Sequence, residues 1–177
     1  MNAWCGHEQQ AMKDTNLRMI DTPDFQNALR RILEEMIPFC RVLGIRLASF
    51  DPENPQLEFA MRDELLGNVG KGMLHGGAIA AVLDTMAGYA IFLKMTQEDP
   101  KPDLMAQLQE FARMSTIDLR VDYLQPGRGE RFTASATVTR LGRRVANVQM
   151  ALRNEEGVCI ATGAAAFMLH APKSGAG

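Results

Sequence analysis

Between residues 75 and 84 the chain reads His-Gly-Gly-Ala-Ile-Ala-Ala-Val-Leu-Asp, which brings together residue types suited to chemistry. Gly76 and Gly77 open a long apolar run that predicts a helix, and the first N–H groups of a helix have no partner inside it. Without side chains, two glycines leave those N–H groups uncovered, and the helix dipole adds partial positive charge. A carbonyl oxygen that turns negative in a transition state can be held at such a place. A tight turn with close packing would need the same two glycines. Asp84 is the only charged residue between Ala78 and Lys94. An ionised carboxylate on an apolar helix is costly unless it is paired or opens onto a polar cavity. It could act there as base or nucleophile; a structural carboxylate bonded to Thr85 or to a strand backbone would look the same. Gly76 and Asp84 stand about 12 Å apart along a helix. One small reacting group cannot touch both within a protomer. If both act on it, the second comes from a symmetry-related subunit.

Other candidates are weaker. The glycine-rich stretch 67–72 lacks the G-x-x-x-x-G-K-[ST] spacing of a phosphate loop. No G-x-S-x-G, H-E-x-x-H or paired cysteines occur, so no metal and no cofactor is called for. His75 and His170 stand alone. Arg128, Arg131, Arg140, Arg143 and Arg144 gather around turns, where solvated charges and a site for coenzyme A phosphates read alike.

Composition narrows the classes. The chain has 177 residues, enough for one domain with a real core, and a formal net charge of only −2. That charge argues against nucleic acid as the main partner. The three cysteines, Cys5, Cys40 and Cys159, are widely spaced and fit free thiols in a reducing cytoplasm. Residues 1–21 lack the apolar stretch of a signal peptide. Residues 78–95 are apolar but include Asp84 and Lys94, which favours a buried core helix over a membrane span.

The elements that must position these groups follow from periodicity. Thr22-Pro23 predicts a helix start, and Phe25, Ala28, Leu29, Ile32, Leu33 and Met36 keep an i, i+3, i+4, i+7 spacing that Pro38 closes. Strands over 43–50 and 56–62 flank the turn-rich 51–55 as a hairpin. A second amphipathic helix is expected over 103–114. The last third predicts four antiparallel strands. Ile117, Leu119, Val121 and Tyr123 face one side of the first, and 158–169, apolar on both faces, is expected to be central and covered on each side. These elements suit an α+β fold in which an antiparallel sheet wraps around one apolar helix. The division expected is a polar lead-in at 1–22, one domain over 23–170 and a tail at 171–177.

On these residues the chain resembles the hotdog-fold thioesterases of the phenylacetate-degradation type, and most of all their bacterial medium- and long-chain acyl-CoA branch. The resemblance runs over 40–169. It rests on Leu74-His75-Gly76-Gly77 with Asp84, on Ile117-Asp118-Leu119-Arg120-Val121-Asp122-Tyr123-Leu124-Gln125-Pro126-Gly127, on Leu141-Gly142-Arg143-Arg144-Val145-Ala146, and on 157–167. It implies hydrolysis of acyl-coenzyme A by a homodimer or a pair of dimers. In that scheme the Gly76 N–H polarises the thioester carbonyl, and Asp84 of the partner attacks it or activates water. His75 is counted with the catalytic residues and Gly77 with those that bind substrate, Asn68 and Thr116 orient water or substrate, and Arg143 and Arg144 meet the nucleotide end of coenzyme A. A thiolate leaves readily because thiols are acidic, so no strong general acid is required. Two alternatives differ in their residues. A hydratase or dehydratase would pair a histidine with a carboxylate, and neither His7 nor His170 has such a partner in the sequence. A non-catalytic acyl-CoA-binding module would be expected to lack Asp84.

Overall fold

The computed structural model describes residues 18–169. Cys5, His7, His170 and the expected tail lie outside them. A six-stranded antiparallel sheet, in the order β1 (Arg46–Ser49), β2 (Gln56–Ala60), β6 (Arg131–Leu141), β7 (Val145–Asn154), β8 (Cys159–Met168) and β5 (Ser115–Tyr123), curls around one long helix, α3 (Gly76–Glu98). This is the hotdog arrangement, and its cause is α3 itself. Gly76–Glu98 is apolar on every side, so it must be covered all round. From Met86 to Leu93 every residue is buried. The same helix is long and apolar enough to cross a membrane, but 67% of its most apolar window is buried inside the protein, as befits a core helix.

The N-terminal helix departs from its simple periodic form. Thr22 caps α1 (Pro23–Arg30) by accepting the Phe25 N–H at 3.3 Å. The chain then widens into a π turn over Arg31–Met36, with the Ile37 N–H reaching back to the Ile32 carbonyl. Pro38 does not merely end this segment. It forces Ile37 into extended backbone and itself opens a second helix, α2 (Pro38–Leu43). Leu43, expected at the start of a strand, therefore ends α2, and Gly44 closes it in the left-handed region at φ 70°. Ile20, expected within the polar lead-in, sits in a 3-10 turn and is only 1% exposed, so the packed body begins before residue 23.

The first hairpin pairs β1 (Arg46–Ser49) with β2 (Gln56–Ala60), and β2 continues the sheet onto β6 (Arg131–Leu141). β3 (Leu66–Asn68) and β4 (Met73–Leu74) form a separate small ladder leading into α3. α4 (Leu104–Ala112) packs on α3, with the Phe92 and Phe111 rings edge to face at 5.1 Å. β7 (Val145–Asn154) and β8 (Cys159–Met168) complete the interior of the sheet, and β5 (Ser115–Tyr123) forms the edge opposite β1.

Two strand expectations change. β8 is internal, but only its helix-facing side is covered; Ala164 and Met168 are exposed. In β5, Leu119, Val121 and Tyr123 pair opposite Ala165, Gly163 and Ala161, yet Ile117 is the extra residue of a bulge and is 52% exposed. The bulge gives its neighbour Thr116 the place opposite buried Phe167.

Candidate active site

The start of α3 is held rigidly. His75 is the cap residue, in extended backbone at φ −67° and ψ 136°. Its N–H donates to the Leu65 carbonyl at 2.8 Å, and the Leu74 N–H donates to Gly127 at 2.9 Å. Gly67 lets the preceding strand come this close: a Cβ there would lie 2.6 Å from the His75 Cα. The His75 carbonyl accepts the Ala78 and Ile79 N–H groups at 3.0 and 3.2 Å. Its ring Nδ1 accepts the Gly77 N–H at 2.9 Å, which places the ring proton on Nε2. Three of the four first-turn N–H groups are thereby satisfied. Of these four, only the Gly76 N–H has no acceptor among the described residues. Gly77, expected to bind substrate, has its own N–H taken by the neighbouring ring, so the helix start offers one donor, not two.

Asp84 lies two turns further on, partly buried between Leu83 and Met86, which are fully enclosed. The Thr116 hydroxyl donates to its Oδ1 at 2.9 Å. Thr85, a possible structural partner, instead donates to the Ala81 carbonyl at 2.9 Å. No cation among the described residues forms an ion pair with Asp84. A carboxylate held on one side by a hydroxyl keeps its remaining lone pairs for water or an electrophilic carbon.

The other expected residues fall into two groups. The Asn68 Oδ1 caps its own loop, accepting the Lys71 N–H at 3.1 Å, and makes no hydrogen bond to Asp84 or Thr116. Arg143 lines a cleft of about 520 Å³ with Lys101, Gln107, Glu98, Glu110 and Leu169. Arg144 is exposed, and its carbonyl accepts the Leu169 N–H at 2.8 Å. Among the described residues no group of three or more metal-ligating side chains is assembled.

One contact has no counterpart in the sequence pattern. The Tyr123 hydroxyl donates to the Gly76 carbonyl at 2.9 Å, although the side chain is 55% exposed. Its inward place at the end of an alternating strand was the available signal, but nothing in the sequence pairs it with residue 76. Thus β5 touches α3 at two points, Thr116 on Asp84 and Tyr123 on Gly76, running antiparallel to the helix.

A sheet wrapped around one long apolar helix, with a threonine-held carboxylate on that helix and a lone N–H at its start, is the hotdog arrangement. The chain belongs to the thioesterase superfamily, whose family pattern it matches over residues 71–161. Over 148 residues it is 40% identical to the medium/long-chain acyl-CoA thioesterase YigI of Escherichia coli, a match covering 81% of this chain and 95% of the relative. The same-named protein of Salmonella typhimurium is 38% identical over the same span. Among solved structures, a Shewanella oneidensis protein related to the thioesterase superfamily is 34% identical with a TM-score of 0.75, covering 84% of this chain and 99% of its own.

Proposed function

We propose that this protein hydrolyses acyl-coenzyme A thioesters bearing medium to long acyl chains, releasing the free acid and coenzyme A. The observation that carries the reading is the Thr116–Asp84 hydrogen bond on a helix whose first N–H is free. The naming of the 40%-identical relative supports the substrate class. The Gly76 N–H receives the thioester oxygen as it turns negative, and Asp84 attacks the carbonyl or draws the proton from a water. Because about 12 Å of helix rise separates the two, the working unit is a homodimer that builds each site from Gly76 of one subunit and Asp84 of the other. A pair of such dimers is compatible with the same geometry. Arg143 and Arg144 at the β6–β7 turn meet the phosphates of coenzyme A, Asn68 faces the substrate from its loop, and the enzyme works in the cytoplasm as a single domain that takes in Ile20 ahead of the expected 23–170.

The apolar setting of α3 and α4, with Leu104, Leu108 and Phe111 packed against the core, favours a long hydrocarbon tail. The test is the rate of thiol release across acyl-CoA chain lengths. Decanoyl-CoA should be cleaved faster than acetyl-CoA; the reverse order would remove the chain-length assignment, and no release from any chain would remove the hydrolase reading.

A further inference from the structure

The peptide unit joining Gly76 and Gly77 is gripped from both sides. Its carbonyl oxygen accepts the Tyr123 hydroxyl at 2.9 Å, and its N–H donates to the His75 Nδ1 at 2.9 Å. We propose that Tyr123 and His75 are positioning residues that clamp this peptide and thereby aim the free N–H of Gly76 at the substrate oxygen. The inference rests on the reading of Gly76 as the oxyanion donor.

Physical chemistry gives the clamp a task. Glycine has the softest backbone of any residue, and the first turn of a helix frays. Two successive glycines there would leave the Gly76 N–H free to wander. A peptide unit is planar, so fixing its oxygen and its nitrogen together fixes its orientation about Gly76. The preceding unit is pinned through the His75 carbonyl, which takes the Ala78 and Ile79 N–H groups. Gly76 therefore sits between two immobilised planes, and its N–H is the first-turn donor left over. A hydrogen bond into a carbonyl also polarises the N–H of the same amide, so the Tyr123 and His75 bonds strengthen each other. The Tyr123 ring adds a wall: a Cβ on Gly76 would meet its Cε1 and hydroxyl at 3.4 Å.

A purely structural role is a poor account of Tyr123. The side chain is more than half exposed, where a single hydrogen bond adds little stability. What it touches is the one residue whose orientation matters to the reaction. Tyr123 and Thr116 also share β5, so one strand steadies the donor of its own subunit with one end and the carboxylate with the other.

The experiment combines steady-state thiol release from decanoyl-CoA with amide hydrogen exchange resolved at Gly77 by NMR, on the full-length protein. Tyr123→Phe and His75→Ala should each lower kcat about tenfold with KM within about twofold, as expected when a reacting group is misplaced by a fraction of an ångström. In both, Gly77 exchange should rise at least about tenfold while the β6 and β7 amides stay protected. His75→Asn keeps a side-chain oxygen at the cap to accept the Gly77 N–H. It should recover most of kcat and restore the slow exchange. If His75→Asn is as impaired as His75→Ala, the imidazole acts by some other means and the clamp is wrong. Unchanged Gly77 exchange in His75→Ala and Tyr123→Phe overturns it as well. If the wild-type protein releases no thiol from any acyl-CoA, the hydrolase reading fails, and the Gly77 exchange rates alone decide whether the clamp exists.

Discussion

Gly76→Pro is an unusually clean way to remove one hydrogen-bond donor. Proline has no N–H, and residue 76 is the first helical position, where proline is well tolerated. A proline also demands extended backbone in the residue before it, and His75 already has φ −67° and ψ 136°. The added Cβ meets the Tyr123 ring at 3.4 Å, close contact but no collision. The variant should therefore fold, dimerise and lose the oxyanion donor, which costs about 10²–10³-fold in kcat. Asp84→Asn, which removes the base or nucleophile while keeping its shape, should lose at least about 10²-fold. Neither variant alone should turn over, yet a mixture should. After both are dissociated and reassociated together, about half the dimers are mixed, and each mixed dimer holds one site with both residues intact. About a quarter of the wild-type rate should return, read as thiol release from decanoyl-CoA. Gly76→Ala, which keeps the N–H, is the matched control and should stay near wild type. With subunit exchange confirmed by mass, an inactive mixture would refute the shared site.

Three further outcomes are expected. Thr116→Val keeps the shape of the side chain but strips the bond to the Asp84 Oδ1; stability should fall by no more than about 3 kcal/mol, while a carboxylate no longer held in place predicts a kcat loss of about tenfold, and an unaltered kcat would show that Thr116 is idle. Gly67→Ala drives a Cβ to 2.6 Å from the His75 Cα, so urea unfolding should report a loss of about 1–3 kcal/mol, and a neutral result would mean that the β3–β4 ladder gives way freely. Glu34, whose side chain is 9% exposed, has a carboxyl below the usual range: burial pushes it up, but the Leu47 N–H and the Arg46 and Arg30 guanidinium groups outweigh that. A depressed folded value gives stability that is complete above the unfolded carboxyl's titration near pH ~4.3 and is lost as pH falls through the folded value. Melting temperatures of the wild type and Glu34→Gln should therefore converge in acid; parallel curves would rule this out.

The periodic signals were reliable where the local pattern sets the outcome. The all-apolar run of α3, the amphipathic α4 and the alternation of β6 and β7 all follow from spacing, as does the isolation of Asp84. What alternation misses is a change of parity within a strand. The bulge at Ile117 leaves that residue in solvent and sets Thr116 against Asp84, so reading every second residue inward from Tyr123 selects the wrong neighbour. The N-terminal helix was read in its place and with its buried face, but its inner geometry was missed for a related reason. A π turn spends an extra residue without breaking the apolar spacing, and a proline that stops one helix is also well suited to open the next. Strand order is a tertiary matter: no local feature puts β2 beside β6 or sends β5 to the far edge. Likewise, glycines at 76 and 77 announce two bare N–H groups, whereas only the folded chain reveals that the imidazole beside them consumes one.

That consumption limits what the protein can attack. With the Gly77 N–H committed to His75, the oxyanion site proposed at the start of α3 has a single backbone donor. Each such donor lowers a barrier by roughly 3–4 kcal/mol, so half the stabilisation available at the helix start is withheld. Thioesters tolerate this because the departing thiolate is a weak base. Oxygen esters and peptides, whose leaving groups are far more basic, are left with a barrier that one donor does not remove.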